Sequence, residues 1–85
     1  MPKTFNLYST DGCHLCEQAL ELIITVNPNI KVTVLDIMDD PTWLETFQIR
    51  IPVLEPTTNK LLERQAQLDW PFDKQQLLDF FRQHA

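Results

Sequence analysis

The sequence predicts an α/β fold: a four-stranded mixed sheet with three helices packed on its faces. Three observations carry that prediction. Within residues 4–37 a β-prone segment, a helical stripe and a second β-prone segment follow one another, the order of a βαβ unit whose crossover is right-handed. A proline-led short helix comes next, followed by two more β-prone segments separated by turn residues. A capped amphipathic helix closes the chain.

Each element has its own reason. The segment TFNLYS (4–9) is short, sets Phe5 and Leu7 apart by one residue with Tyr8 beside them, and stops at Thr10–Asp11–Gly12, which makes it a strand. From residue 13 to about 26 the period changes. Cys16, Ala19, Leu20, Ile23 and Val26 recur at helical spacing, with Glu17, Gln18 and Glu21 off the stripe. Pro28 within NPN ends that helix. Residues 30–37, IKVTVLDI, are rich in β-branched side chains and read as a buried strand. In DDPTWLETF, Asp40 is placed to cap a short helix and Pro41 suits its first position, while Trp43, Leu44 and Phe47 supply apolar contacts. Residues 49–55 read as a third strand interrupted by Pro52, which implies either an edge strand or a special turn. PTTNK (56–60) has turn chemistry, and LLERQAQ (61–67) reads as a weaker fourth strand antiparallel to the third. The last helix is expected over residues 70–83. Asp73 and Gln76 form the pattern of a capping box, Phe72 and Leu77 that of a hydrophobic staple, and Leu77, Leu78, Phe80 and Phe81 its buried face.

At 85 residues the chain makes one small domain, spanning 1–85, with a modest core. The 44% hydrophobic and 22% charged fractions are those of an ordinary globular protein. The net charge of −5 argues against nucleic acid and anionic membrane partners, both of which need clustered Lys and Arg. The first ten residues show no secretion signal, and no apolar run approaches the roughly 20 residues that span a bilayer. The expected compartment is the cytoplasm. Close cysteines there are more often catalytic or metal-binding than structural.

The chemistry centres on Cys13 and Cys16, the only two cysteines, in TDGCHLCEQ. Cys13 falls where the first strand turns into the first helix. Helix N-termini stabilise anions, and a thiolate is one; a free cysteine pKa of about 8.5 drops to roughly 3.5–7.5 in such positions. Cys13 is therefore the expected nucleophile. Cys16, one turn deeper on the same face, is placed to attack a mixed disulfide on Cys13 and release the reduced substrate. Gly12 serves a tight turn, an open approach to Cys13, or both. His14, when protonated, would stabilise the thiolate, whereas Asp11 and Glu17 act in the opposite sense. A closed zinc site needs four ligands, and beyond the two cysteines the chain offers only His14 and His84, so no metal site is expected within one chain. Two Cys13/Cys16 pairs in a dimer could share a metal or an iron–sulfur cluster.

The element order, with LY…DGCHLCEQA, RIPVLE and LDWPFD, resembles the glutaredoxin branch of the thioredoxin-like superfamily, and most closely a family of short bacterial glutaredoxin-like proteins. The resemblance covers nearly the whole chain and implies a thioredoxin-like three-layer sandwich. It implies that Pro52 is a cis proline opposite the cysteine pair, and that Ile51 before it offers backbone groups to an incoming substrate. It also implies dithiol–disulfide exchange on protein or glutathione disulfides, with no bound cofactor and glutathione as a possible electron donor; the expected working form is a monomer. The chain departs from glutaredoxins at Thr10–Asp11–Gly12, where they carry a basic residue for a glutathione carboxylate, and at QAQLDWPFD, where they carry a Gly-Gly turn and an acidic pair. Arg50 could replace the missing positive charge, and Asp73 could receive an amino group. Trp70 could wall a groove beside Cys13, but packing is the preferred role. The rival to an enzyme is a binding module that uses the Cys13–Pro52 surface without turnover.

Overall fold

A computed structural model describes residues 4–84. Strand β1 (Thr4–Ser9) leads into helix α1 (His14–Val26) and strand β2 (Lys31–Asp36). A single 3-10 turn at Ile37–Asp39 precedes helix α2 (Pro41–Phe47). Strand β3 (Val53–Pro56), a second 3-10 turn at Arg64–Ala66, the short strand β4 (Leu68–Asp69) and helix α3 (Lys74–His84) complete the fold. The sheet order is β2-β1-β3-β4, with β1 parallel to β2 and antiparallel to β3, and β4 antiparallel to β3. The predicted mixed sheet with three helices is the observed one.

Side-chain alternation along the strands sorts the core onto the two faces of the sheet. Phe5, Leu7 and Leu54 point to the face covered by α1 and α3, where they meet Ala19, Ile23, Leu77, Phe80 and Phe81. Tyr8 and Val53 point the other way, against Phe47 of α2 and Ile37. The stripe read from periodicity is the packed one: Cys16, Ala19 and Ile23 are buried, and Leu20 and Val26 pack against them half-buried.

Capping chemistry sets the helix starts as the sequence implies. The Asp40 carboxylate accepts from Thr42 N at 2.8 Å, with Pro41 in the first turn. At α3, Asp73 accepts from Gln76 N at 2.8 Å while Gln76 Oε1 accepts from Asp73 N at 2.9 Å, a reciprocal capping box. Phe72 and Leu77 flank it in the same buried cluster. Because the box closes at Asp73, α3 begins at Lys74 and not at the expected residue 70.

Three strand expectations need correction. β2 lies at the sheet edge, and most of its side chains are exposed or half-exposed rather than buried. Its β-branched composition reports a fit to a pleated surface, not the presence of neighbours on both sides. β3 starts at Val53, because Arg50 N and Ile51 N both bond to Phe47 O (2.8 and 3.1 Å) and prolong the turn after α2. β3 is an interior strand, so Pro52 precedes the ladder and does not mark an edge. The fourth strand is Leu68–Asp69, not residues 61–67. Leu62 N bonds back to Asn59 O and Leu62 takes a left-handed φ of 54°, so the chain is still turning where a strand was expected.

Candidate active site

The turn after β1 delivers Cys13 to the start of α1. Cys13 N donates to Thr10 O at 3.3 Å, and Gly12 between them has φ +76°. Nothing lies within 4 Å of where a Gly12 Cβ would stand, so the left-handed backbone is what calls for glycine, and the space around it is open. Cys13 is the N-cap of α1: its backbone is extended, its carbonyl accepts from Glu17 N, and its Sγ accepts from Cys16 N at 3.2 Å. A sulfur thus takes the place usually held by a capping oxygen, facing an N–H and the positive end of the helix. Both features favour the thiolate once the pair is reduced.

Cys13 and Cys16 are joined as a disulfide with Cα atoms 5.3 Å apart. Their environments differ: Cys13 is half-exposed, whereas Cys16 is only 4% exposed beneath it. His14 points into solvent, 89% exposed, with Nδ1 3.7 Å from Glu17 Oε2.

The register of the sheet brings the proline segment to the same end. Tyr8 pairs with Val53, so Pro52 follows at the end of β1 from which Cys13 emerges. The Ile51–Pro52 peptide is cis, as is Trp70–Pro71. Pro52 is buried, Ile51 is half-buried, and Pro52 O accepts from Trp70 N at 3.0 Å. Trp70 packs edge-on against Phe72, with ring centroids 5.1 Å apart, and lies on the core cluster.

Arg50 is already engaged. Its guanidinium donates to both Asp69 carboxylate oxygens (2.9 and 2.8 Å) and to Gln67 Oε1 (2.6 Å), and its Cζ lies 5.2 Å from the centre of the Phe47 ring. Only 16% of its side chain is exposed. The bidentate pair ties the residues before Pro52 to β4, so the Arg50 charge is matched within the fold. Asp73 is likewise occupied as the N-cap of α3.

Sequence reasoning missed a buried polar network beneath these residues. Glu55, 2% exposed, accepts from Tyr8 OH, from Asn59 Nδ2 (3.0 Å) and from Gln67 Nε2 (3.1 Å). Gln67 passes the network on to Arg50. Phe47 stacks on Tyr8 at 4.2 Å and also supports Arg50. Its sequence signal is faint: a glutamate directly after the apolar run Val53–Leu54, with amide side chains in the loop beyond.

Burial first, then the bond to and the charge of Glu55, push the Tyr8 phenol well above its ordinary value of 10.0. The folded state therefore resists ionisation more than the unfolded chain does. The resulting stability is full below about pH 10 and is lost as pH rises above it, by up to about 1.4 kcal/mol per pH unit. Alkaline urea titrations should show wild type weakening above pH 10 more steeply than Tyr8→Phe. Tyr8 is the single tyrosine, so tyrosinate absorbance reports its ionisation alone. Parallel slopes in the two proteins would refute the linkage.

Among the described residues, no three His, Cys, Asp or Glu side chains cluster as metal ligands. No helix among them is long and apolar enough to cross a membrane.

Comparison with known proteins places this architecture. The fold is thioredoxin-like: thioredoxin 1 from the thermophilic eubacterium Thermosipho africanus superposes with a TM-score of 0.59 at 16% identity, over 94% of this chain and 91% of that one. The family described as Glutaredoxin-like domain (DUF836) matches residues 4–82, and the chain belongs to it. A structural-genomics target protein from X. campestris, XcR50, is similar in its X-ray structure, with a TM-score of 0.72, 29% identity, and coverage of 95% of this chain and 99% of that one. Its solution structure gives the same TM-score of 0.72 at 31% identity, over 95% of this chain and 97% of that one. A search of curated proteins finds no significant match.

Proposed function

We propose that the protein is a thiol–disulfide oxidoreductase acting on polypeptide or small-thiol disulfides. The observation that carries this reading is the asymmetry of the pair: a half-exposed Cys13 sulfur at a helix N-cap, with Cys16 buried within bonding reach one turn below. In the reduced protein the Cys13 thiolate attacks one sulfur of a substrate disulfide R–S–S–R′. A Cys13–S–S–R bond forms, and R′S⁻ leaves and takes up a proton. Cys16, deprotonated, then attacks the Cys13 sulfur, RS⁻ leaves, and the Cys13–Cys16 disulfide remains. Two electrons have passed from the protein dithiol to the substrate. An external thiol, glutathione among the candidates, reverses the sequence to restore the dithiol. The segment around Ile51 and Pro52, held by Arg50 and Trp70, docks the substrate chain.

Potentials of such pairs range from about −270 to −120 mV, so the same geometry serves a reductant or an oxidant. The test is to trap the intermediate. Cys16→Ser, incubated with a disulfide substrate, should accumulate a mixed disulfide on Cys13 that mass spectrometry locates. If the wild type does not cycle between dithiol and disulfide, and the variant forms no adduct at neutral pH, the protein is not an exchange catalyst.

A further inference from the structure

Two adjoining cavities lie toward the edge strand, the first of them beside the cysteine pair, and Pro52 lines neither. The first, about 150 Å³, is bounded by the Cys13–Cys16 pair, Leu20 of α1 and Val34 of β2. The second, about 200 Å³, shares Asp11 and Val34 with it and continues to Asp36. Together they form a trough between α1 and β2 that starts at the candidate nucleophile.

The trough has two chemistries. Its inner wall is aliphatic: Leu20 and Val34, with the fully buried Leu7 behind them. Its other lining includes three carboxylates, Asp11 and Glu17 beside the cysteines and Asp36 farther along. One Asp36 oxygen caps the following turn through Met38 N at 2.9 Å. Among the described residues, no Lys or Arg lines either cavity. The guanidinium nearest the proline segment, Arg50, is matched by Asp69 and largely buried. The surface that meets a substrate on this flank is therefore negative, in keeping with the net charge of −5.

An aliphatic wall under a carboxylate rim suits a side chain with an apolar stem and a cationic head. Lysine and arginine have that form, laying their methylenes on apolar surface while the charge stays at the wet edge. Glutathione, whose carboxylates outnumber its ammonium group, would bring like charge to Asp11 and Glu17. Building on the thiol–disulfide reading above, we infer that this trough is a subsite for a basic side chain next to the disulfide of a polypeptide substrate. The trough selects cationic polypeptide disulfides over anionic ones such as glutathione disulfide. Proximity to Cys13 sets the register: the basic residue lies within a few positions of the substrate cysteine, on the side opposite the chain docked at Ile51–Pro52.

The test uses two disulfide peptides of equal length that differ only in carrying Lys or Glu beside the cysteine, together with glutathione disulfide. The reduced full-length protein is assayed for kcat/KM at about 10 mM and about 1 M salt, between which the Debye length falls from roughly 30 Å to roughly 3 Å. The lysine peptide should be preferred by about tenfold at low salt, with the gap closing to about twofold at high salt. The combined variant Asp11→Asn, Glu17→Gln, Asp36→Asn keeps side-chain size, and asparagine still caps at position 36. Removing these charges also changes the reactivity of Cys13, but that change acts on both peptides and cancels in their ratio. The ratio should therefore fall toward unity in the variant. Equal kcat/KM for the two peptides in a cycling wild type, or a preference for the glutamate peptide or glutathione disulfide, overturns the subsite and leaves the exchange reading intact. A lysine preference that persists in the variant also overturns the assignment to these carboxylates. A wild type inert toward every disulfide overturns the exchange reading and the subsite with it.

Discussion

Cys13→Ser should abolish disulfide exchange, lowering kcat/KM by about a thousandfold or more, while leaving the fold in place. The loss follows from the nucleophile. At neutral pH even an unperturbed thiol is a few per cent thiolate, whereas a serine hydroxyl is essentially never an alkoxide. The fold survives for an independent reason: Cys13 is the N-cap of α1, and serine is among the best capping residues. Its hydroxyl can accept the Cys16 N–H that the sulfur now accepts at 3.2 Å. Activity and stability are thus separable at this position. Helix content and urea midpoint should match those of the reduced wild type. Cys16→Ser should behave differently, since it leaves the attacking thiol intact and removes only the second step; its first turnover yields the Cys13–S–S–R adduct and one equivalent of R′SH, and RSH is not released. Comparable turnover by Cys13→Ser and wild type would mean that the chemistry lies elsewhere; a wild type with no turnover at all would favour the binding-module reading.

The parts of this site that were legible from sequence are those encoded locally. The Cys13–Cys16 spacing, the stripe through Ala19 and Ile23, the Asp40 cap and the Asp73–Gln76 box each depend on residues two to four apart, which a helix or its first turn brings together by its own geometry. The resemblance to glutaredoxins added the cis Ile51–Pro52 peptide, which no periodicity encodes. What stayed hidden was non-local and polar. Nothing near Glu55 tells a buried carboxylate from a solvated one at a strand end, because its donors Tyr8 and Gln67 lie 47 and 12 residues away. The engagement of Arg50 was hidden for the same reason. Its value as a free charge beside Pro52 depended on Asp69, 19 residues on, which binds it. The fourth strand was misplaced because Leu61 and Leu62 look β-prone, while the segment is shaped by Asn59, whose side chain bonds both Glu55 and Glu63. Local side-chain hydrogen bonding there overrides strand propensity.

The largest stability effect should come from Glu55→Ala, at about 3–4 kcal/mol. The carboxylate is 2% exposed and gathers Tyr8 OH, Asn59 Nδ2 and Gln67 Nε2. Truncation strands these donors in a space that the side chain had filled, and each buried unmet donor costs about 1–3 kcal/mol before the structure relaxes. Relaxation recovers part of this, since Asn59 and Gln67 are only half-buried and can turn to water. Tyr8, 2% exposed and stacked on Phe47, cannot follow them. For 85 residues the whole folding free energy is about 4–13 kcal/mol, so the change removes a large share of it. With a urea slope of about 1 kcal/mol per M, the midpoint should drop by about 3 M. Glu55→Gln retains the volume and one acceptor but turns its amide toward another amide donor, so its cost should fall between those of Tyr8→Phe and Glu55→Ala. The damage should also reach the active site, because Gln67 is the residue through which Glu55 reaches Arg50, and Arg50 holds the turn before Pro52. In Glu55→Gln, which should stay folded, KM for a polypeptide disulfide should rise more than kcat falls, since Cys13 and Cys16 lie outside the network. A Glu55→Ala variant within about 1 kcal/mol of wild type would show that the buried carboxylate is readily replaced by water and that the network does not hold the sheet together.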